Sequence, residues 1–369
     1  MRSVVISSGD LHNIGDLALL LQCTFGVRTH LGAEQVWVRQ WNTPDPEILD
    51  QLNAETIGVV AGKNLMGAVA RARGALVMIG GGQMVRDNAS VPSLVSLAAM
   101  MEIARLTGGA ATVLACGVDR LTRNLHRRLW RRMMTGSALV TVRDTPSQQA
   151  VSALCGDRVD PVLTADLAFM PSPLHDALTA TSAKPPSIVV APCADHSENR
   201  TVTVESLCVA VARAAAALDV QEISLVSHDA RPSMDPQICG ALAEHLARTA
   251  PHLRVTMVAS YTLADYTETY ATAALVITNR LHSLIFGLLA QRPVLVLDDG
   301  TAKTKAAAER FSIPLAPIDA PMSDTLLAAL VAEAKAGPSP ARREALDQAK
   351  QASRENFTRL ASALNPGRR

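Results

Sequence analysis

Aromatic residues are scarce in this sequence: Phe, Trp and Tyr together make up 3% of its 369 residues. A core short of large rings must be filled by the Ala, Val and Leu that dominate the 48% apolar content. Such cores suit parallel strands covered by Ala-rich helices. Cysteine is sparse as well. Cys23, Cys116, Cys155, Cys193, Cys208 and Cys239 are scattered, with no C-x-x-C pair and no metal-ligand spacing. No metal site is therefore expected, and the thiols read as small buried hydrophobes of a reduced, cytoplasmic protein. The formal net charge is only +1, which argues against a global polyanion-binding surface and a nucleic-acid partner. No stretch approaches the roughly 18 apolar residues of a membrane span. Asp10 and Asp16 break up the strand-like run that follows Arg2, so no secretory leader is read. The glycine-rich turns match neither G-x-G-x-x-G nor a Walker A loop, and no nicotinamide, flavin or pyridoxal signature occurs, so no cofactor is expected.

What is present is an alternation of short β-branched runs with longer helical ones. Strands are expected at 3–8, 35–39, 56–60, 75–80, 111–116 and 138–142, with helices at 15–25, 93–106, 122–135 and 145–154. Segment 171–186 is rich in Pro, Ser, Thr and Ala without an apolar period, and reads as a linker. The alternation then restarts, with strands at 187–191, 222–227, 254–258, 275–278 and 293–297. Helices are read at 204–218, 236–249, 263–271, 281–290 and 302–311, and a last pair at 323–335 and 341–364. The expected fold class is α/β, with two Rossmann-like parallel-sheet domains facing a cleft: one over 1–175, the other over 185–337.

In open parallel sheets ligands sit beyond the carboxyl ends of the strands, near helix N-termini, and the polar and glycine-rich clusters of this sequence fall there. Asn13, Gly15 and Asp16 lie in a turn after the first strand, where free amides favour an anion; a capped βα turn explains the same residues. Gly80, Gly81 and Gly82 follow a central strand and let a ligand, or another loop, approach the backbone. Arg143-Asp144 stands at a strand end before Ser147, as a ligand contact or a structural pair. Arg280, His282 and Ser283 open a helix after the strand at 275–278. Arg brings a fork for carboxylate or phosphate, His titrates near neutral pH, and a cation at a helix N-terminus calls for an anionic partner. Lys303 follows the next strand and is a point charge for phosphate, or part of a solvated loop. Finally, 120–132 carries Leu121, Leu125 and Leu129 as one apolar stripe among six arginines, the pattern of a solvated helix face or of peripheral contact with an anionic membrane.

In this order, N-x-G-D (Asn13, Gly15, Asp16), G-G-G (Gly80, Gly81, Gly82), G-V-D (Gly117, Asp119), R-D-x-x-S (Arg143, Asp144, Ser147), A-D-L-A-F (Ala165, Phe169), R-L-H-S (Arg280, Ser283) and Lys303 resemble the polysaccharide pyruvyl transferase family. The resemblance spans about 3–315 and implies a fold like that of two-domain glycosyltransferases of the B type. It also implies that the last helix, 340–364, packs back on the first domain. The implied donor is phosphoenolpyruvate, and the implied acceptor a pair of sugar hydroxyls on a cell-surface glycan or its precursor, free or lipid-linked. On that reading Arg280 and Lys303 clamp the donor, His282 is the general acid/base, and Asp16 meets the acceptor hydroxyls, with Asn13, Gly15, Gly81, Gly82, Arg143 and Ser283 lining the site. The sequence departs from the family where Gly300-Thr301-Ala302 replaces an aromatic before the Lys. It departs again at Asp195-His196, where relatives carry an Arg that Arg200 would have to replace. A glycosyltransferase using a nucleotide-sugar donor is the alternative enzyme, and a non-catalytic scaffold that kept the fold is the alternative outside enzymes.

Overall fold

The structure is a computed structural model; residues 3–193, 203–317 and 322–365 are described. Asp195, His196 and Arg200 lie outside the described residues. Two compact units emerge: Met1–His12, Asp16–Ser172 and Ala349–Arg369 form the first, Asn13–Gly15 and Pro173–Gln348 the second.

The first unit alternates β1 (Ser3–Ser7), α1 (Ile14–Leu31), β2 (Gln35–Gln40), α2 (Pro46–Ala54), β3 (Ile57–Ala61), α3 (Leu65–Ala72), β4 (Leu76–Gly80), α4 (Val91–Leu106), β5 (Ala110–Cys116), α5 (Asn124–Thr135), β6 (Val140–Val142), α6 (Thr145–Cys155) and β7 (Val162–Leu163). All pairings are parallel, in the order β3-β2-β1-β4-β5-β6-β7. The order reverses between β1 and β4. β4 is buried along its whole length, as a strand covered on both faces must be.

The second unit holds α7 (Pro173–Thr179), β8 (Ser187–Ala191), α8 (Val204–Leu218), β9 (Glu222–Val226), α9 (Asp235–Thr249), β10 (Arg254–Val258), α10 (Leu263–Ala271), β11 (Ala273–Thr278), α11 (Leu281–Leu289), β12 (Val294–Asp298), α12 (Ala302–Arg310), β13 (Leu315–Pro317), α13 (Asp324–Ala336) and the start of α14 (Pro340–Leu364). Its parallel sheet runs β10-β9-β8-β11-β12-β13, with the reversal between β8 and β11. From Ala349 onward α14 is counted with the first unit. There Asn356 accepts from Thr164 Oγ1 at 2.9 Å, and Phe357 is fully buried against Gly26.

Three sequence readings change. Segment 171–186, read as a linker, contains α7, which buries Leu174 and Leu178. Helices α2 and α3 went unread because both are short; Pro46 at the first position of one and the Asn64 side chain accepting from Gly67 N–H (3.0 Å) in the other set their starts. The leucine stripe at 120–132 does not form. Helix α5 begins at Asn124, so Leu121 precedes it, Leu125 is 47% exposed, and the buried face is His126, Trp130, Met133 and Met134. All six cysteines are buried and outside any disulfide, and no helix among the described residues is long and apolar enough to cross a membrane.

Candidate active site

Each sheet brings its chemistry-bearing residues to the point where strand order reverses, the crevice that open α/β sheets offer to ligands. In the first unit these are the loops after β1 and β4. Asp16, in the first turn of α1, is half-buried between glycines: a β-carbon would stand 2.2 Å from its Oδ2 if built on Gly9, and 3.2 Å from Oδ1 if built on Gly82. Gly81 and Gly82 adopt φ of 67° and 71°, a conformation that side chains disfavour, so both glycines are required here by the backbone. The Asp10 amide donates to Asp16 Oδ2 at 3.1 Å. Burial raises the Asp16 pKa to about 6, against the pull of Arg86. A carboxyl poised there exchanges protons at near-neutral pH, as acid/base catalysis requires.

Four sequence motifs form one network under this glycine loop. Arg143 is 5% exposed. Its Nη1 donates to Asp166 at 2.9 Å, its Nη2 to Gln83 Oε1 at 2.7 Å, and Gln83 Nε2 donates to Asp119 at 2.7 Å. Gly117 leaves room for them, since a β-carbon there would meet Gln83 Oε1 at 2.1 Å. Asp144 caps α6 by accepting from Ser147 N–H at 2.8 Å, and Ser147 Oγ accepts from Val118 N–H at 2.9 Å. Through these bonds Arg143 links the ends of β4, β5 and β6, and Asp166 outweighs burial so that it stays charged.

In the second unit the corresponding loops follow β8 and β11. Asn279, fully buried, accepts from Cys193 N–H at 2.7 Å and donates to Cys193 O at 2.9 Å and to Asp299 at 3.1 Å. One side chain thus ties together the ends of β8, β11 and β12. Arg280 follows as the N-cap of α11, its amide donating to Thr278 Oγ1 at 2.9 Å. Its guanidinium donates to the buried Asp235 at the start of α9. Burial alone would lower the Arg280 pKa; Asp235 outweighs it and holds the group charged. Arg280 Nε is buried without a hydrogen-bond partner. His282 lies in the first turn of α11 with its ring against Gly15, where a β-carbon would stand 2.2 Å from Nδ1. Asn13 shapes that turn by accepting from Gly15 N–H at 2.9 Å, and the Ile14 amide donates to His228 O at 2.8 Å. Lys303 stands half-buried in the first turn of α12, beyond β12, the strand beside β11.

Sequence reasoning missed Asp235 and a buried chain behind α11. His228 Nε2 lies 2.7 Å from Tyr270 Oη, and Tyr270 Oη donates to Ser283 Oγ at 2.6 Å. Ser283, expected to touch substrate, is fully buried and serves as this chain's terminal acceptor. His228 is held neutral, its pKa pushed well down by burial and by Arg280 and His282. The signal available was Tyr266 and Tyr270 in a sequence with only three tyrosines: in a ring-poor core each buried hydroxyl needs a partner.

The polysaccharide pyruvyl transferase family model matches residues 13–300. No curated protein sequence matches the chain. Among solved structures it is similar to the UDP-GlcNAc 2-epimerase of Neisseria meningitidis bound to UDP-GlcNAc, at 12% identity over all of both chains with a TM-score of 0.60. The Methanocaldococcus jannaschii UDP-GlcNAc 2-epimerase shares 9% identity over all of both chains, TM-score 0.60. Anabaena HepE in complex with UDP shares 12% over 99% of this chain and all of that one, TM-score 0.57. These likenesses carry the fold, two parallel-sheet α/β domains of the Rossmann type. With the motifs at both sheet reversals and the family model spanning most of the sequence, the chain belongs to the polysaccharide pyruvyl transferase family and is an enzyme of the pyruvyltransferase type.

Proposed function

We propose that the protein transfers the pyruvyl group of phosphoenolpyruvate to two hydroxyls of a sugar, in a cell-surface glycan or its precursor, forming a cyclic pyruvate ketal. The donor carries a carboxylate and a phosphate. Arg280 and Lys303 supply the opposing charges, from helix starts beyond adjacent parallel strands. The observation that carries the reading is Arg280: a buried guanidinium fixed on one side by Asp235, with Nε left over for an incoming oxyanion.

His282 delivers a proton to the methylene carbon, which becomes the methyl group, and positive charge develops at the adjacent carbon. One sugar oxygen bonds to that carbon and the carbon–oxygen bond to phosphate breaks. The second sugar oxygen then bonds to the same carbon. Of the two hydroxyl protons, one restores His282 and the other leaves with phosphate. Asp16, with a carboxyl titrating near pH 6, is the base that takes this second proton from its hydroxyl and passes it to the departing phosphate. Contact with an anionic membrane through the exposed arginines of α5 would bring a lipid-linked acceptor within reach.

The test is mass spectrometry of candidate acceptors after incubation with phosphoenolpyruvate, beside parallel incubations with nucleotide sugars. Gain of one pyruvyl group with loss of water, matched by phosphate release, is expected. Gain of a hexose from the nucleotide sugar instead would make the protein a glycosyltransferase.

A further inference from the structure

At the carboxyl end of β2, Arg39 is 4% exposed. Its Nη2 donates to Ser93 O at 2.8 Å and lies 3.1 Å from Ser93 Oγ, in the first turn of α4. Its Nε is buried with no hydrogen-bond partner. Among the described residues no carboxylate pairs with it, and burial lowers its pKa to about 10 with no acidic group in opposition. Every other arginine of the first unit that is as deeply buried has an acid: Arg143 has Asp166. A buried guanidinium without an anion is costly to keep unless an anion arrives.

The surroundings fit an anion. Arg39 pairs in register with Ser7, the last residue of β1, so it stands beside the sheet reversal that holds Asp16. Gly62 lets its backbone pass close by: a β-carbon there would stand 3.1 Å from Arg39 Cζ and 3.2 Å from the half-buried ring of Trp41. Ser96 Oγ donates to Gly62 O at 3.0 Å and so ties this loop to α4. Lys63, next in the chain, is exposed and forms no ion pair among the described residues. Leu65, Met66, Val91 and Val95, at the starts of α3 and α4, are exposed apolar side chains.

We propose that Arg39 is the cation of a phosphate-binding site in the first unit, which takes the phosphate or diphosphate that activates the sugar acceptor. The acceptor assignment rests on the function proposed above; the anion site does not. A phosphorylated acceptor would enter with its charge on Arg39 and a sugar ring against Trp41.

The probe is inorganic pyrophosphate, titrated calorimetrically into the full chain. Arg39→Gln is expected to weaken binding at least tenfold while Arg280→Gln leaves the Arg39-dependent binding in place. Undiminished binding to a folded Arg39→Gln protein, or loss in Arg280→Gln alone, overturns the proposal. Should Arg39→Gln fail to fold, Arg39→Lys keeps the charge and loses the fork. A several-fold weakening is then expected, and wild-type affinity overturns it. UDP and geranyl diphosphate are the two further arms: the one showing the tighter Arg39-dependent binding identifies a nucleotide-linked or a lipid-linked acceptor, and an effect of Arg39 on neither overturns the acceptor assignment. If phosphoenolpyruvate gives no ketal yet the Arg39 effect holds, the reaction reading falls and the anion site stands.

Discussion

The imidazole of His282 rests on the α-carbon of Gly15, with space for no more than a hydrogen between them: a β-carbon would fall 2.2 Å from Nδ1. Gly15 is not in the left-handed region, so alanine is acceptable to the backbone and the conflict is with the ring alone. Gly15→Ala should therefore push His282 off its position. A fall in kcat of at least tenfold with little change in KM for phosphoenolpyruvate is the expected result, since proton transfer depends on placement. Wild-type kcat in Gly15→Ala would remove His282 from the chemistry.

Arg280 and Asp235 answer to different measurements. Arg280→Ala strands a buried carboxylate, a change worth about 3–5 kcal/mol of stability, so lost activity in that variant is ambiguous. Arg280→Lys keeps a cation beside Asp235 and loses the planar fork. It should fold, and should raise KM for phosphoenolpyruvate by tenfold or more, because a hydrogen bond to a charged group is worth about 1.5–3 kcal/mol. A KM unchanged in Arg280→Lys would assign the pair to architecture.

The raised pKa of Asp16 sets a pH dependence with a definite sign. In the folded protein the carboxyl binds its proton up to about pH 6; unfolded, only to about 4. The native state thus binds more protons between these values, and stability falls as pH rises through them. Asp16→Asn should remove this slope, so its stability advantage should grow from pH 4 to 6, toward an upper bound of about 3 kcal/mol, less for residual solvent contact. Activity runs the other way. With Asp16 as base, kcat should fall below about pH 6, and that limb should vanish in Asp16→Asn. Denaturant melts and a pH–rate profile read both.

Most of the fold was legible because buried parallel strands are short β-branched runs and the longer helices keep a clear period. What escaped was short or set by tertiary contact. Strands β7 and β13 span two and three residues, and α7 hides in a Pro-rich segment. At the candidate site, the placement of Arg280, His282 and Asp16 at helix starts beyond strands was readable. Asp235 was not, because it lies 45 residues before Arg280, and spacing alone does not bring the start of α9 to that of α11. The bonds of Arg143 were hidden for the same reason: its partners, Gln83 and Asp166, are 60 and 23 residues away.

The chain His228–Tyr270–Ser283 supports α11 from behind. Tyr270→Phe leaves His228 Nε2 and Ser283 Oγ buried without that partner, at a cost of about 1–3 kcal/mol. His228 is neutral across the working pH range, so the loss should not depend on pH between 6 and 9. A steep pH dependence in the difference between Tyr270→Phe and wild type would show that His228 carries charge.

Helix α5 offers a test of membrane contact that its own tryptophan cannot report. Trp130 is 1% exposed and faces the core, so its fluorescence should not change on vesicles even if the helix binds them. The polar face is what remains. Arg127 and Arg128 are exposed and form no ion pair among the described residues, whereas Arg132 lies 3.3 Å from Glu102. With no apolar stripe to insert, attraction to anionic lipid must be electrostatic, worth about 1 kcal/mol for each arginine near the surface. Vesicles containing phosphatidylserine should sediment the protein at low salt, and salt should release it as the screening length falls from about 10 Å at 0.1 M to about 3 Å at 1 M. Arg127→Glu with Arg128→Glu should abolish sedimentation and leave turnover on a soluble acceptor unchanged. Sedimentation that resists salt, or survives the double reversal, would mean that another surface meets the lipid and that the arginines of α5 are a solvated helix face.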